Sequence, residues 1–406
     1  MKVLVVNAGS SSIKYQLLTP PENKPLAKGT LEKIGIPGSL LTHSVNGEKH
    51  KIEQDILDHS SGIALVLKTL TDPEIGVIED VSEIEAVGHR MVHGGEKFYQ
   101  PTLVTAEVME VLKDCIPLAP LHNPHNVQGI EACRKVLPAI PQVVVFDTAF
   151  HADMPEYAYL YALPYELYIK HRFRRYGFHG TSHYYVANEV AKRMGRENDP
   201  ELKIVTAHLG NGGSVAAVKG GKSVDTSMGY TPVEGLVMGT RCGDIDPFLF
   251  VQIMDMYDLE TEQASNLMNK FSGLKGVSGL SSDMRILEDA METNERAKLA
   301  VEMFSYRVLK YIGAYSAAMG GLDAIVFTGG IGTNSPIIRK WVCDKLGYLG
   351  VKIDQPTNED GMGNKTLKIS TGDSKVDVWA YLTNEELVIA LQTSQVVKNL
   401  RKIDER

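Results

Sequence analysis

Continuous apolar runs that end in short polar turns dominate the hydrophobic pattern of this chain. Val3-Leu-Val-Val6 precedes the turn Gly9-Ser-Ser-Ser12, and apolar and polar residues alternate from 12 to 18. Near mid-chain, residues 204–209 precede Gly210-Asn-Gly-Gly213 and a second apolar run. Such runs, bounded by Gly, Ser and Asn, predict two strand–turn–strand units. Their recurrence predicts that the two halves of the chain share one architecture.

The rest of the first half is predicted to continue with strands and helices. Asn123 and Pro124 are typical of a helix start, with Asn123 as N-cap and Pro124 as the first helical residue. Periodicity and turn residues place the other elements of this half: further strands within 22–50, a helix at 61–70, a strand running into a loop at 86–95 and a buried strand at 142–146.

The second half is predicted to repeat this order. Strands are expected across 203–218, with Gly220-Gly221 reversing the chain. A long amphipathic helical region follows, from near residue 283 to beyond 315. A strand at 324–327 then leads into the loop Thr328-Gly-Gly-Ile-Gly-Thr-Asn334.

A change of composition marks a domain boundary. Six tyrosines lie between Tyr157 and Tyr176, alongside prolines and arginines. We therefore predict an N-terminal domain that comprises residues 1–150 with a C-terminal helix at 386–406, and a C-terminal domain that comprises residues 151–385.

The composition is that of a globular protein. With 406 residues, 43% hydrophobic and 23% charged, the chain is long enough for roughly two or three domains. A net charge of −8 argues against nucleic acid or an anionic membrane as partner. The four cysteines form no metal-binding or redox pattern, and no stretch resembles a signal peptide or membrane span. We expect a cytoplasmic protein.

Three Gly-rich segments, each after a predicted strand, are candidates for binding phosphate: Gly9-Ser-Ser-Ser12, Gly210-Asn-Gly-Gly213 and Gly329-Gly-Ile-Gly332. Backbone N–H groups and short hydroxyls in such turns can surround phosphate oxygens. A Walker A motif ending at Gly221-Lys-Ser223 is excluded because Ala216 replaces its first glycine, and no dinucleotide-binding fingerprint joins a strand to a helix. Ordinary hairpin turns are the alternative for the first two segments.

Polar residues flank the first Gly-rich segment and open the last helix. Asn7 is a turn-forming residue or a ligand of Mg²⁺ or of its bound water. Lys14 is a solvated lysine or a point charge for phosphate. Thr383 and Glu386 fit a capping box, which leaves Glu385 as the better metal candidate at that helix start.

Two arginines, a histidine and an aspartate lie in loops and are candidates for catalysis. Arg90 and Arg241 have glycine and apolar neighbours, which suits a partly buried fork that binds carboxylate or phosphate. His179, between Phe178 and a glycine, either shapes its loop or donates to a transferring phosphoryl group. Asp147 orients an arginine or a metal-bound water, or caps a turn.

Segments with distinctive residues run nearly from end to end of the chain: Asn7-Ala-Gly-Ser-Ser-Ser-Ile-Lys14, Gly88-His-Arg-Met-Val-His-Gly-Gly95, Leu121-His-Asn-Pro124, Phe146-Asp-Thr-Ala-Phe-His151, Arg175-Tyr-Gly-Phe-His-Gly-Thr-Ser-His183, His208-Leu-Gly-Asn-Gly212, Asp225-Thr-Ser-Met-Gly229, Met238-Gly-Thr-Arg-Cys-Gly-Asp-Ile-Asp-Pro247, Phe327-Thr-Gly-Gly-Ile-Gly332 and Thr383-Asn-Glu-Glu386. In this order and spacing they resemble the acetate kinase family, within the superfamily of acetate and sugar kinases, chaperone ATPases and actin.

This resemblance implies an α/β fold with two duplicated actin-like ATPase domains, each a mixed five-stranded sheet flanked by helices, and nucleotide in the interdomain cleft. It implies reversible transfer of the γ-phosphoryl group of ATP to acetate, giving acetyl phosphate and ADP. Mg²⁺ is the implied cofactor, with Mn²⁺ as a substitute, and the implied assembly is a homodimer whose domains close on acetate and ATP.

The resemblance also implies a role for each candidate residue. Asn7 and Glu385 serve Mg²⁺, Arg90 and Arg241 hold acetate and the transferring phosphoryl group with the help of His179, and Asp147 belongs to the active site. The implied nucleotide contacts are Ser10, Ser12, Lys14, His208, Leu209, Gly210, Asn211, Gly212, Gly330, Ile331, Gly332, Thr333 and Asn334, with Asp283, Met284 and Arg285 at the adenosine end. The implied pocket for the acetate methyl group comprises Val92, Leu121, Phe178 and Pro232.

Phosphoryl transfer requires mainly positioning and charge neutralisation. Acetate is ionised at neutral pH, because a carboxyl pKa is roughly 4 to 5, so no base is needed. We therefore assign Asp147 to orienting an arginine or Mg²⁺-bound water, and we predict direct in-line transfer.

Two other functions are compatible with parts of the sequence. Propionate or butyrate kinase is the nearest, since one methylene in an apolar pocket changes preference by only about 1–3 kcal/mol. Val92 favours a short acid because it fills the pocket floor. An actin-like filament or chaperone ATPase needs no second anion site, and the cluster of Arg90, Arg241 and His179 argues against it.

Overall fold

The computed structural model describes residues 1–120, 122–363 and 365–404. Its backbone separates into two compact units, one formed by Met1–Ala149 with Asn384–Arg406 and the other by Phe150–Thr383. That each unit is an independent domain, with boundaries at 150 and 385, stays a prediction. Within the described ranges, no helix combines the length and apolarity needed to cross a bilayer.

The strands of the described residues are β1 (Lys2–Ala8), β2 (Ser12–Leu18), β3 (Ala27–Glu32), β4 (Leu40–Val45), β5 (Glu48–Glu53), β6 (Ile84–Met91), β7 (Thr102–Leu103), β8 (Gln142–Phe146), β9 (Lys203–Leu209), β10 (Gly213–Lys219), β11 (Lys222–Thr226), β12 (Ala324–Thr328), β13 (Leu367–Lys368) and β14 (Asp377–Ala380).

The α-helices are α1 (His59–Leu70), α2 (Ala106–Asp114), α3 (Asn123–Val136), α4 (Glu156–Tyr159), α5 (Tyr165–His171), α6 (Gly180–Arg193), α7 (Pro247–Tyr257), α8 (Thr261–Lys270), α9 (Gly273–Ser278), α10 (Met284–Ala290), α11 (Glu295–Ala318), α12 (Gly329–Asn334), α13 (Pro336–Cys343), α14 (Gln355–Asp360) and α15 (Glu385–Asp404). Short 3₁₀ helices lie at Val81–Glu83, Ile116–Leu118, Ala149–His151 and Gly347–Leu349.

The first unit is built on a sheet in the order β5-β4-β3-β2-β1-β6-β8-β7. All five residues of β8 are buried, as its apolar run Val143–Phe146 predicts for a strand inside the sheet. Helix α1 starts at the N-cap Asp58, whose side chain accepts from the Ser61 backbone N–H, and packs Ile63, Val66 and other apolar residues into the core. Helix α15 packs against β6, β1 and β8 of the same sheet.

The second unit is built on a sheet in the order β11-β10-β9-β12-β14-β13. Every residue of β12 is buried, again in agreement with its apolar sequence. Helix α6 packs on β9 and β12 and buries Val186 and Val190 against Ile204 and Val326. The long helix α11 also packs on β9 and β10.

Both sheets contain the same five-strand core. The orders β3-β2-β1-β6-β8 and β11-β10-β9-β12-β14 correspond strand for strand, with antiparallel pairing among the first three strands and parallel pairing among the last three. The sheets exceed the five strands expected because β4 and β5, β7 and β13 add hydrogen bonds to edges that would otherwise be exposed. The duplicated architecture predicted from the two hairpins is confirmed.

Three helix predictions need correction. The region from 283 to beyond 315 is two helices, because Asn294 accepts from the Ala297 N–H and starts α11 afresh. Helix α3 has His122 as its N-cap, and Asn123 is its first residue because its side chain is bonded to the backbone of His93 and Cys115 instead. The segment expected as a loop after β12 is the short helix α12.

The predicted capping box at the last helix is also wrong. Helix α15 begins at Glu385, and the side-chain Oδ1 of Asn384 accepts from the Leu387 N–H at 3.0 Å. Asn384 is therefore the N-cap, one residue after Thr383, so the third helical position is Leu387 and Glu386 cannot complete a box. Both Glu385 and Glu386 lie in the first turn, where the helix dipole favours acids.

Candidate active site

Three polar side chains of the first unit lie at one edge of its sheet. Asn7 is near the end of β1, Arg90 is near the end of β6, and Asp147 directly follows β8. These strands are parallel, so their carboxyl ends meet at the same edge. In open α/β sheets this is the edge at which ligands bind. The structure thus brings together three residues that the sequence predicted separately.

Glu385 lies towards the same edge because α15 runs antiparallel to β6. Arg401, near the end of α15, pairs with Glu85 near the start of β6. Further back along the helix, Thr393 lies beside Gly88. The first turn of α15 therefore lies near the end of β6.

Arg90 and Asp147 form a bidentate pair. The Arg90 Nε and Nη2 atoms donate to the two carboxylate oxygens of Asp147 at 3.1 and 2.5 Å. Burial by itself lowers the pKa of the Arg90 guanidinium, but the carboxylates of Asp147 and Glu385 outweigh it and raise that pKa above its ordinary value. Arg90 is therefore fixed in orientation and held in its charged form, as expected of an arginine that a carboxylate orients.

The first Gly-rich turn is held from two sides. The Gly9 N–H donates to the Ser12 carbonyl at 2.8 Å and closes the turn. His59 Nε2 donates to the Gly9 carbonyl at 2.8 Å, and Asn126 Nδ2 donates to the Ala8 carbonyl at 2.8 Å. Ser10 and Lys14 are exposed. The turn is thus rigid, while its hydroxyl and cationic groups are accessible.

The residues predicted to bind the acetate methyl group are divided between the units. Val92 is buried in the first unit, where its N–H donates to Asn126 Oδ1 at 3.1 Å. Phe178 is buried and Pro232 half-buried in the second unit. Leu121 lies outside the described residues. That the four residues form one apolar pocket stays a prediction.

In the second unit, two side chains converge on the turn between β9 and β10. A β-carbon built on Gly212 would lie 3.3 Å from Nη1 of Arg241 and 3.9 Å from Nε2 of His179. The loop that carries Arg241 is tied to this turn, since the Gly239 N–H donates to the Asn211 carbonyl at 2.9 Å. The absence of a side chain at position 212 therefore leaves space beside a guanidinium and an imidazole.

Arg241 differs from Arg90 in its electrostatic surroundings. Burial lowers the pKa of the Arg241 guanidinium, and no carboxylate among the described residues offsets this effect. A guanidinium that is largely removed from water without an acidic partner favours an anionic ligand.

His179 is held in an unusual backbone conformation. Its φ angle is 57°, in the left-handed region that few non-glycine residues adopt. Its Nδ1 atom lies 2.8 Å from Ser214 Oγ, and its ring stacks on that of His208 with centroids 4.4 Å apart. Backbone strain of this kind is frequent at functional sites.

The third Gly-rich segment, α12, is anchored by a buried arginine. Arg339 is fully buried, and its Nη1 atom donates to the Gly332 carbonyl at 2.9 Å. Burial lowers the pKa of Arg339 to about 10. Thr333 Oγ1 donates to the Gly329 carbonyl, and Asn334 Oδ1 accepts from the Gly363 N–H. Gly330 remains exposed at the start of the segment.

The residues predicted for the adenosine end start α10. Asp283 is its N-cap, accepts from the Arg285 N–H at 3.0 Å and pairs with the Arg285 guanidinium. Arg285 is exposed, whereas Met284 is buried, so the Met284 side chain packs within the unit.

The sequence also has an extended match to a known family. A sequence model of the Acetokinase family matches residues 2–391. The chain belongs to the acetokinase family. It is a kinase whose phosphoryl acceptor is a carboxylate.

Other proteins similar to this acetokinase family member match it over nearly their whole length. An acetate kinase of Clostridium novyi is 54% identical over 399 residues, which cover 98% of this chain and 99% of the relative. An acetate kinase of Pseudothermotoga lettingae is 56% identical over 400 residues, 98% of each chain.

Solved structures support the fold of the acetokinase family for this chain. The Porphyromonas gingivalis acetate kinase matches with a TM-score of 0.93 and 50% identity, over 98% of this chain and 99% of that one. A propionate kinase from Francisella tularensis matches with a TM-score of 0.90 and 42% identity, over 97% and 99%. The actin-like ATPase fold predicted from the sequence is confirmed.

Several residues that support the candidate site of this acetokinase were not predicted. His59 and Asn126 hold the first turn, Arg339 holds α12, and His183 contacts Ser214 behind His179. Only His183 left a signal, because it lies in the same distinctive segment as His179, four residues further along the chain. His59 and Asn126 bond to backbone groups that are distant in sequence, and the backbone contact of Arg339 leaves no motif in the sequence.

Proposed function

We propose that this chain catalyses reversible transfer of the γ-phosphoryl group of ATP to acetate, giving acetyl phosphate and ADP. Its similarity to named acetate kinases, at 54% and 56% identity, supports acetate as the acceptor. The observation that carries the proposal is Arg241, a mostly buried guanidinium for which the described residues provide no carboxylate. It adjoins His179 and a Gly-rich turn, an arrangement suited to neutralising phosphoryl charge.

The two arginines are assigned to different anions. Arg241, with His179, stabilises the charge on the transferring phosphoryl group. Arg90, fixed by Asp147, binds the carboxylate of the acid through its remaining donors. The acid is already ionised, so Asp147 orients Arg90 and removes no proton. Transfer is then direct and in line, because two anions can approach once both charges are compensated.

Asn7 and Glu385 are assigned to Mg²⁺. One amide oxygen and one carboxylate, both half-buried in the first unit, fit an ion that takes few protein ligands and fills its coordination sphere with water and phosphate oxygens. The described residues include no group of three or more His, Cys, Asp and Glu side chains that could enclose a metal, which agrees with such an open site. When bound, Mg²⁺ neutralises phosphate charge, and Mn²⁺ is expected to replace it.

The nucleotide is assigned to the Gly-rich segments of both units. Ser10, Ser12 and Lys14 serve the phosphates, together with residues 208–212. Residues 330–334 and 283–285 serve the rest of ATP. Hydrogen-bonded turns with exposed residues, among them Ser10, Asn211 and Gly330, support these roles, since such turns preorganise donors for phosphate oxygens.

We also propose a cytoplasmic homodimer. Helix α7 contains no buried residue although most of its side chains are apolar, and a helix that is apolar on several faces is normally covered. Phe248, Met256 and Tyr257 are 66%, 74% and 68% exposed. A second copy of the chain is the proposed cover.

Propionate is the second candidate acceptor. The match to a propionate kinase, at a TM-score of 0.90, favours it, while the buried Val92 favours the shorter acid. One methylene changes selectivity by only about 1–3 kcal/mol, so both acids are expected to react at different rates.

The function is tested by acyl hydroxamate formation from acid, phosphoryl donor and hydroxylamine. Acetate, propionate and butyrate are each combined with ATP, GTP or pyrophosphate, with reactions lacking acid as controls. We expect the highest kcat/KM with acetate and ATP. A higher kcat/KM with propionate would reassign the acceptor, and donor hydrolysis that is independent of acid would contradict a carboxylate kinase.

A further inference from the structure

A continuous chain of hydrogen bonds runs from the core of the second unit to His179. Thr206 Oγ1 lies 2.7 Å from His183 Nδ1, and His183 Nε2 lies 2.7 Å from Ser214 Oγ. Ser214 Oγ lies 2.8 Å from His179 Nδ1. Thr206, His183 and Ser214 are fully buried, so the chain is shielded from water until it reaches His179.

The strand register explains why these groups meet. Ser214 on β10 lies opposite His208 on β9, and Thr206 is two residues before His208, so the three side chains share one face of the sheet. Helix α6, which carries His183, packs on β9. On the same sheet, α6 covers apolar residues such as Ile204 and Val218, so the hydroxyls are a local exception in an apolar layer.

His183 is a neutral link in this chain. Each of its ring nitrogens meets one hydroxyl, and no carboxylate appears among its described contacts. Burial lowers the pKa of His183 well below its ordinary value, and the neighbouring His151 and His208 lower it further. A neutral imidazole has one N–H and one lone pair, so the chain of donors must run in one of two directions.

The Thr206 hydroxyl decides the direction. If His183 Nδ1–H donated to Thr206, the Thr206 hydroxyl proton would have no second protein acceptor in the described part of the chain. A buried donor without an acceptor is unfavourable. If Thr206 donates to Nδ1 instead, His183 Nε2–H donates to Ser214, and the Ser214 hydroxyl donates to His179 Nδ1.

We propose that Thr206, His183 and Ser214 are positioning residues that fix His179 as the tautomer with its proton on Nε2. This inference rests on the proposed function. The Nε2 edge of His179 and Nη1 of Arg241 border the same space over Gly212, where a β-carbon would lie 3.9 Å from Nε2 and 3.3 Å from Nη1. The chain therefore presents an N–H donor, not a lone pair, where a phosphoryl oxygen is assigned, and a preorganised donor there stabilises charge in the transition state.

The kinetic test compares two buried serines of neighbouring strands. Ser214→Ala removes the hydroxyl that orients His179. Ser223→Ala is the matched control, because Ser223 Oγ lies 2.7 Å from His151 Nδ1 while the other nitrogen of His151 donates to the Phe178 carbonyl and fixes its tautomer. We expect kcat to fall about 10- to 100-fold in Ser214→Ala, with KM for ATP and acid changed less than about threefold. Ser223→Ala is expected to stay within about twofold of the wild type.

The second readout is the tautomer itself. Nitrogen-15 NMR of the unliganded protein, with the His179 signals assigned through His179→Gln, distinguishes a protonated from an unprotonated Nε2. We expect Nε2–H in the wild type and Ser223→Ala, and a mixture of tautomers in Ser214→Ala. A wild-type proton on Nδ1, or equal kcat values in the two serine variants, would overturn the proposal.

The isosteric Thr206→Val provides an independent variant if Ser214→Ala does not fold. It removes the donor three hydrogen bonds from His179, and we expect a mixed His179 tautomer and a several-fold lower kcat. Unchanged values of both would contradict the chain. The NMR readout needs no substrate, so absence of carboxylate kinase activity in the wild type would refute the proposed function without deciding the tautomer.

Discussion

Arg90 and Arg241 show how one residue type acquires two electrostatic roles. Arg90 is paired with Asp147, which is 1% exposed, so its charge is largely balanced within the protein. Arg241 is mostly buried with no acid among its described neighbours. Removing Arg241 therefore takes away charge that only a ligand uses, whereas removing Arg90 also takes the bidentate guanidinium partner away from the buried Asp147 carboxylate.

Arg241→Ala is expected to lower kcat by about 10³-fold or more, in the range of other charge-stabilising groups. The measurement is steady-state kinetics at saturating ATP and acetate. Arg193→Ala is the control, because Arg193 stacks on Tyr381 at 5.2 Å and takes no part in the proposed site. A kcat of Arg241→Ala near that of the wild type would remove Arg241 from the mechanism.

Buried neutral histidines make stability depend on pH. Burial lowers the pKa of His151 and of His89 to about 4. The unfolded chain, with histidine pKa values of about 6.5, therefore binds protons between pH 6.5 and 4 that the folded chain excludes. The free energy of unfolding should thus fall as pH falls through this window, by roughly 3 kcal/mol for each residue once complete.

Denaturant unfolding at pH 7.5 and pH 5 checks this expectation. In His151→Gln, which lacks one titrating group, the difference between the two pH values should shrink. An unaltered difference would show that His151 is not the source of the pH dependence.

At the scale of elements, the position of a buried strand can be predicted from the sequence more directly than the first residue of a helix. Val143–Phe146 in β8 and Ala324–Phe327 in β12 are continuous apolar runs, and all of their residues are buried, as expected of strands covered on both faces. Helix starts depend on which of several polar residues reaches the backbone. Asn384, not Thr383, does so at α15, and the sequence offers both.

The same distinction applies to the candidate site. Arg90, Asp147 and Arg241 could be predicted because each lies in a local segment that ends a strand or forms a Gly-rich loop. His59 and Asn126 could not, since they bond to backbone carbonyls 50 and 118 residues away. Such contacts exist only after the sheet and its helices have assembled.

The cap of α15 is testable on its own. Asn384→Ala should lower the free energy of unfolding by about 1 kcal/mol, the usual effect of losing an N-cap side chain. Thr383→Val is the matched control, because the Thr383 hydroxyl is buried without a partner among the described residues, and its loss should be nearly neutral or slightly stabilising. The reverse order of effects in chemical denaturation would restore the capping box.

At the scale of the whole chain, duplication gives each unit a parallel-strand edge with its own polar residues. Asn7 is the penultimate residue of β1 as His208 is of β9, and each strand is followed by a Gly-rich turn. The residues that differ between the copies are the chemically specialised ones: an arginine–aspartate pair in the first unit, and the histidine chain with Arg241 in the second. The duplicated sheet thus gives both units an equivalent edge, and the residues that differ between the copies give the two edges different chemical roles.

Helix α7 is the test of assembly at this scale. Its sequence is apolar on several faces, yet none of its eleven residues is buried, and Val251 is 55% exposed. A contiguous apolar surface of this kind marks an interface. A charged side chain there would lose its hydration on association, so Phe248→Asp and Val251→Asp should each shift the protein from dimer to monomer.

Sedimentation equilibrium over roughly 0.1–10 µM protein measures this shift, a range that brackets dimers of moderate affinity. Tyr157→Asp is the matched control, because Tyr157 is 90% exposed and lies on α4, not on α7. A dimeric wild type and control with monomeric α7 variants would assign α7 to the interface. A dimer that persists in both α7 variants would place the interface elsewhere, and a monomeric wild type would contradict the homodimer itself, because the apolar face would then be stable in water without a second copy.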